Sequence, residues 1–347
     1  MNSTKTDAID VKTFRPDDIT LGDAIYAGWR AAQLHDVPDV TPFGRDNIQA
    51  MLETPPHGWT GEYFVATVGD EVVGALLLFL PQLDNTHLAH VEGWVHVEHR
   101  RMGVGRRLYA HTLDRLRELG RTTLVVRVQD PADADPPAAG PRFADAVGMT
   151  CALTEVTRRL QPGEVDTATT DALLADCRAR ATDYELLQWS DGLDGATPPE
   201  HVDDLARLEV RLDTDAPTGD LNMQAREPDP ESIRARCERN RLAGIRNFHT
   251  AVRHRETGRI VAWTLISSPP SDPGHCWQGI TVVDPDHRGK RLGTYVKLEN
   301  LPYATAMEPS LRVVETNNAG ENAHMIAINE ALGYRIHGRT HNYQKEV

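Results

Sequence analysis

Apolar and polar positions run along this chain in two rounds of the same order. In the first round, residues 11–15 read as a short strand after a polar, frayed start over residues 1–10. Helical spacing follows over 21–34 and 46–52, with Pro38 and Pro42 interrupting between them. Residues 63–68 and 71–80 alternate or run apolar around Gly69-Asp70, a hairpin signal. A strand over 90–97, a helix over 107–119 and a β-branched strand over 123–128 come next. Residues 129–140 are rich in Pro, Ala and Asp and read as a loop, 143–149 close the round at Val147-Gly148-Met149, and 153–160 are strand-like.

A helix over 169–182 leads into the second round. Its strands are expected over 184–190, 248–254, 259–267, 277–283 and 311–316, and its helices over 202–212, 230–243 and 295–301. The repetition predicts an N-terminal module over 1–165, a connecting helix over 166–183 and a C-terminal module over 184–347.

In each round one strand ends in a turn rich in Gly and Arg that passes straight into a helix. The turns are Arg100-Arg101-Met102-Gly103-Val104-Gly105-Arg106 and Arg288-Gly289-Lys290-Arg291-Leu292-Gly293-Thr294. A strand-to-helix turn of this kind aims unpaired backbone N–H groups at one point, at the positive end of the helix dipole. The result is an anion site suited to phosphate.

Arg100-x-x-Gly103-x-Gly105 fits the R/Q-x-x-G-x-G/A signature of the GNAT superfamily of acetyl-CoA-dependent N-acetyltransferases. Arg288-x-x-Arg291-x-Gly293 fits it with one departure, Arg291 standing where glycine is usual. Residues 213–220 and 316–334 resemble the substrate loop and closing segment of two-module actinobacterial acetyltransferases, and mycothiol synthase shares the layout more distantly. The resemblance implies an α/β fold of two tandem GNAT modules, each a mixed, mostly antiparallel sheet flanked by helices. It also implies acetyl-CoA as co-substrate, with pantetheine pairing to backbone at Val283 and Pro285 or Val95 and Val97. The amides of Gly289 to Thr294 or Arg101 to Arg106 would hold the pyrophosphate, the arginines and Lys290 adding charge.

GNAT modules commonly close with an asparagine that supports the cofactor and a tyrosine that protonates the departing thiolate. In the second module Asn322 fits the asparagine, but Asn329 stands at the tyrosine position; in the first that position is Ala144. Asparagine cannot deliver a proton as an acid at neutral pH. Candidate bases are carboxylates on or near the acceptor loop, Glu209, Asp213, Asp215 and Asp220, with Asp215 foremost; in the first module Glu92 shares a strand face with His90, Trp94 and His96. The second module is expected to be catalytic and the first a decayed partner, although the better glycine loop of the first leaves the opposite assignment open.

Composition bounds the partners. A net charge of -14 over 347 residues argues against nucleic acid, whose binding draws on Lys and Arg, and suits a cationic amine. Four widely spaced cysteines and no membrane-length apolar run predict a cytoplasmic protein with free thiols. The 15 histidines show no H-E-x-x-H, and His337-x-x-x-His341 is isolated, so no metal site is expected. The chain is expected to be a monomer or homodimer that acetylates a primary amine of a small molecule, such as an antibiotic or other natural product, by direct attack in a ternary complex. A non-catalytic acyl-CoA-binding protein and a protein or peptide N-acetyltransferase are the alternatives.

Overall fold

In the computed structural model the first hydrophobic round becomes β1 (Ile9–Thr13), α1 (Ile19–Asp36), α2 (Arg45–Glu53), β2 (Trp59–Val68), β3 (Glu71–Pro81), β4 (Leu88–Val95), α3 (Val104–Glu118), β5 (Thr123–Pro131), α4 (Ala139–Ala146) and β6 (Thr150–Leu160). The structure describes residues 9–40 and 44–347; of the frayed start expected over 1–10, Ile9 and Asp10 instead belong to β1, while residues 1–8 and the interruption at Pro42 lie outside the described residues. The second round becomes α5 (Thr167–Arg180), β7 (Tyr184–Gly192), α6 (Val202–Glu209), α7 (Leu212–Asp215), α8 (Pro230–Leu242), β8 (Arg246–His254), β9 (Ile260–Ser268), β10 (His275–Val283), α9 (Leu292–Met307), β11 (Val313–Ala319), α10 (Ala323–Ala331) and β12 (Arg335–Glu346).

Local chemistry starts these helices. Asp18 accepts the Leu21 N–H at the head of α1, Asp166 caps α5, and Asp229 caps α8 with Pro230 as its first residue. Helix α9 runs through Pro302 to Met307 rather than stopping before it, because Leu298 and Ala304 on either side are held in the core. Among the described residues no helix is long and apolar enough to cross a membrane.

The first unit orders its strands β1-β2-β3-β4-β5-β12, antiparallel throughout except for β4 beside β5. Phe14, Ile25, Leu52, Val65, Leu77 and Trp94 fill the face toward α1 and α2. Phe64, Leu78, Leu108, Leu116 and Ala144 fill the face toward α3 and α4. A fully buried leucine such as Leu78 or Leu116 stabilises a fold by about 2–5 kcal/mol relative to alanine. The second unit repeats the plan as β7-β8-β9-β10-β11-β6, with β10 and β11 the parallel pair.

The chain does not divide where the repetition of the sequence puts the boundary. One unit comprises residues up to Thr154, Gly219–Gln224 and Gly338–Val347; the other comprises Glu155–Thr218 and Ala225–His337. The terminal strands are exchanged: β12 completes the first sheet beside β5, and β6 completes the second beside β11. Cross-strand chemistry supports the second pairing, since Arg159 Nε donates to Glu315 Oε2 at 2.6 Å and Thr157 Oγ1 to Asn317 Oδ1 at 2.6 Å. The loop expected to cover the second module's acceptor site is divided as well. In Gly219–Gln224, Asp220 N donates to Ala152 O, and Gln224 N to Asn85 Oδ1 at 2.7 Å. Gly219 has φ +57 and a Cβ there would lie 2.2 Å from Ala152 O, so only glycine lets the two backbones meet.

Candidate functional site

Each parallel strand pair opens into a wedge. β4 and β5 pair from Leu88↔Thr123 to Val91↔Val126, beyond which β4 continues to Val95 and β5 to Pro131 without pairing to each other. β10 and β11 pair only from His275↔Val313 to Trp277↔Glu315. At the open end of each wedge lies the Gly and Arg turn. The first bond of α3 runs from Arg107 N to Gly103 O and that of α9 from Tyr295 N to Arg291 O. The amides of Val104, Gly105 and Arg106, and of Leu292, Gly293 and Thr294, precede those bonds and are the ones a helix start leaves without intrahelical partners.

The two turns solve the same backbone problem with opposite residues. Arg101 (φ 63) and Gly103 (φ 96) take left-handed conformations in the first, Gly289 (φ 80) and Arg291 (φ 58) in the second. Arg291 therefore adopts the conformation glycine adopts elsewhere. Its side chain neither crowds the turn nor stands free to meet a phosphate: Nη1 lies 3.1 Å from Asp176 Oδ2 on α5. Lys290 lies over the Tyr184 ring at 5.2 Å and 4.0 Å from Asp183, while Val104 and Leu292 bury their side chains and present only backbone. Pro285 begins a short 3-10 turn, as Val97 does in the first module; Met102 and Arg106 flank the first turn.

Several expected site residues are committed to the scaffold instead. Asp215 accepts from Arg288 Nη2, and Glu209 lies 2.7 Å from Arg236 on α8. Asp213 is held by Arg226 Nε at 2.9 Å. Asn322 caps α10 by accepting the Met325 N–H at 3.1 Å. The leading arginines of both motifs point away from their turns: Arg100 holds Asp36 through both terminal nitrogens at 2.6 and 2.9 Å, and Arg288 holds Asp215. The Val95 and Val283 carbonyls accept from the arginine Nε atoms at 3.3 and 3.4 Å. His341 places Nδ1 3.0 Å from Thr154 Oγ1 and Nε2 3.9 Å from Asp130 Oδ2.

The wedges differ most in the residue eight positions before the motif arginine. In the first module this is Glu92, on the β4 face shared with His90 and Trp94. That face turns toward α1, where Gly28 makes room for the indole: a Cβ there would lie 2.1 Å from Trp94 Cη2. Glu92 is exposed, yet the protein packed around it disfavours the charged form and raises its pKa, with Arg127 pulling the other way. Burial, then Arg127, lowers His90 to about 4, so that imidazole is neutral. In the second module the corresponding residue is Ile280, which has no proton to take or give.

The second module contains a group that the sequence reading passed over. Asn329, at the tyrosine position, is fully buried and bridges two elements: its Oδ1 accepts from Lys297 Nζ at 2.8 Å, and its Nδ2 donates to Asn318 Oδ1 at 2.6 Å. Lys297 is buried on α9 with its ammonium 4.9 Å from the Tyr334 ring centroid, and burial brings its pKa down to about 7. Its helical spacing from Gly293, one turn earlier on the row facing α10, is the signal that could have found it.

A cavity of about 60 Å³ on the α6 and α8 side of the second module is lined by Asp191, Cys237, Asn247, His249, Trp263 and Ser267. His249 stacks between Trp189 and Trp263 at 4.8 and 5.9 Å. Its Nδ1 accepts the Trp263 indole N–H at 3.1 Å, and its Nε2 lies 3.2 Å from Asp191 Oδ2. Burial opposes the Asp191 charge, but hydrogen bonds from His249, Thr197 and Asn247 outweigh it and bring the pKa to about 2. His249 thus forms part of the cavity wall.

Residues 29–135 match the model of the acetyltransferase (GNAT) family. No curated protein matches the chain. Among solved structures, a tandem GNAT protein from the clavulanic acid biosynthesis pathway is similar at 28% identity and TM-score 0.78, over 97% of this chain and 98% of that one. A GCN5-related N-acetyltransferase from Sphaerobacter thermophilus, at 15% identity and TM-score 0.63 over 98% and 96%, shares the fold. So does the glucosamine N-acetyltransferase region of a fungal multi-domain GH3 β-N-acetylglucosaminidase, at 16% identity and TM-score 0.66 over 97% of this chain and 38% of that one. The matched segment holds the first wedge and its turn, the second unit repeats both, and in this layout the chain is similar to a tandem GNAT protein.

Proposed function

We propose that the first module transfers an acetyl group from acetyl-CoA to a primary amine of a small molecule, by direct attack, with Glu92 as the base. The observation that carries this reading is Glu92 itself, an exposed carboxylate of raised pKa on β4, one residue past the last β4–β5 pair of the module that also has the better glycine turn. The turn fits a pyrophosphate: the amides of Val104, Gly105 and Arg106 lie ahead of the first helical bond, and a Cβ at Gly105 would approach Phe143 to 3.1 Å, so the chain is kept narrow there. Acetyl-CoA supplies a thioester whose thiolate, with a pKa near 8.5 for a free thiol, can depart without the tyrosine that Ala144 replaces. Glu92 removes the proton that an attacking amine must lose, and a raised pKa brings its basicity closer to that task.

A natural-product amine is favoured by the 28% identical neighbour, which belongs to the clavulanic acid pathway, and by the chain's net charge of -14. Four free cysteines support a reducing, cytoplasmic setting. For the second module a different reading is favoured by Ile280 and by the Lys297–Asn329 pair: it holds acyl-CoA without turning it over.

Release of free thiol from acetyl-CoA against a panel of amines tests the reading. Glu92→Gln is expected to lower kcat by about 10²–10⁴-fold, the usual contribution of a positioned base. The acid limb of the wild-type pH profile is expected above the ordinary glutamate pKa of 4.5, because Glu92 must lose its proton to act. Full turnover by Glu92→Gln would overturn the assignment.

A further inference from the structure

The motif arginine makes the same pair of contacts in both modules, and neither contact is toward the turn. In the first, Arg100 Nε donates to the Val95 carbonyl at 3.3 Å where β4 ends, while Nη1 and Nη2 hold both oxygens of Asp36 at 2.6 and 2.9 Å. In the second, Arg288 Nε donates to the Val283 carbonyl at 3.4 Å where β10 ends, and Nη2 holds Asp215. Asp36 is the last residue of α1 and Asp215 the last of α7, so each acid terminates a helix of the face opposite the α3 or α9 helix. The acids stand 64 and 73 residues from their arginines, yet the geometry repeats. A guanidinium that spends its fork on a carboxylate and its Nε on a carbonyl has few donors left for a phosphate.

We infer that Arg100 is a positioning residue, a latch that ties the end of α1 to the strand end and turn that receive acetyl-CoA, so that filling the turn steadies the acceptor-side helix. The first module has the firmer latch, since Arg100 and Asp36 expose only 20% and 24% of their side chains, against 50% and 25% for Arg288 and Asp215. His35, adjacent on α1, places Nδ1 3.1 Å from the same Asp36 oxygen and adds to the clamp. Lysine cannot replace arginine in this role, because a single ammonium cannot span a carbonyl and both oxygens of a carboxylate at once. As a phosphate ligand, by contrast, lysine serves well.

The inference rests on the turn of the first module binding acetyl-CoA, and the test separates the two. Acetyl-CoA affinity is measured by calorimetry, and hydrogen exchange over residues 29–36 is followed with and without acetyl-CoA, in the full chain carrying Gly293→Glu to silence the second turn. The latch predicts that acetyl-CoA slows exchange in this segment about tenfold or more. Asp36→Asn and Arg100→Lys should each keep the affinity within about threefold while losing most of that protection, and should raise the acceptor KM more than they lower kcat. If Arg100 were instead a phosphate ligand, Arg100→Lys would retain affinity and protection, and Asp36→Asn, by freeing the arginine, would tighten acetyl-CoA binding; that pattern overturns the latch alone. No affinity for acetyl-CoA in the parent overturns the latch together with the cradle it depends on.

Discussion

The two modules share a sheet plan, a wedge and an arginine latch, and they diverge inside the wedge. Eight residues before the motif arginine one has Glu92 and the other Ile280; at the family's tyrosine position one has Ala144 and the other Asn329, tied to a buried lysine. The shared parts are backbone geometry and long-range salt links, which keep the fold. The divergent parts are single side chains that decide whether a proton can move. On the proposed function, the repeat keeps one sheet plan in both copies and leaves the chemistry in one.

The largest effect that would sharpen the contrast is on stability. Lys297 has one neutral hydrogen-bond partner and no carboxylate among its contacts in the described residues, so replacing it removes a buried cation rather than breaking a pair. Lys297→Met is expected to stabilise the second module at neutral pH by about 1–4 kcal/mol, measured by denaturant or thermal unfolding. Linkage gives the sign of the pH dependence. From pH about 7 to about 10.5 the unfolded chain holds the proton that the folded chain has released, so wild-type stability rises across that window, and the rise is lost in the methionine variant. Destabilisation by the substitution, with an unchanged pH profile, would mean the ammonium is better solvated than its burial indicates.

A smaller effect concerns the acids first expected to do the chemistry. Asp215→Asn and Glu209→Gln remove partly exposed ion pairs with Arg288 and Arg236 and should cost roughly 0–1 kcal/mol each. Turnover should stay within about threefold of wild type in the thiol-release assay. A loss of a hundredfold in either variant would return catalysis to the second module.

Most of the fold was legible in the sequence because the elements that build the two sheets carry strong periodicity, and because a strand running into Gly and Arg and then a helix has one geometric meaning. The exchange of β6 and β12 was not. Residues 335–346 are mostly polar, and the strand is held by its pairing with β5 and by a few inward residues such as Thr340, Asn342 and Tyr343, so no apolar alternation announced it. The site was half legible. Strand parity put Glu92 on one face with His90 and Trp94, but not that the strands part beside it. Asp215 looked free because its partner lies 73 residues away, and Asn322 looked functional because a helix cap and a cofactor contact use the same amide.

The central claim is that one wedge transfers and the other only holds, and a paired substitution at the two turns tests it most directly. Gly103 sits at φ 96, where any side chain is strained, and Gly293 lies 3.4 Å from Val283 Cγ2 at the position a Cβ would take, so a glutamate at either place brings bulk and negative charge to the anion site. Thiol release from acetyl-CoA is measured for Gly103→Glu and Gly293→Glu side by side, with acetyl-CoA stoichiometry read by calorimetry. The account predicts that each variant loses one site, that Gly103→Glu abolishes turnover and that Gly293→Glu retains it; loss of turnover in Gly293→Glu with full activity in Gly103→Glu would contradict it.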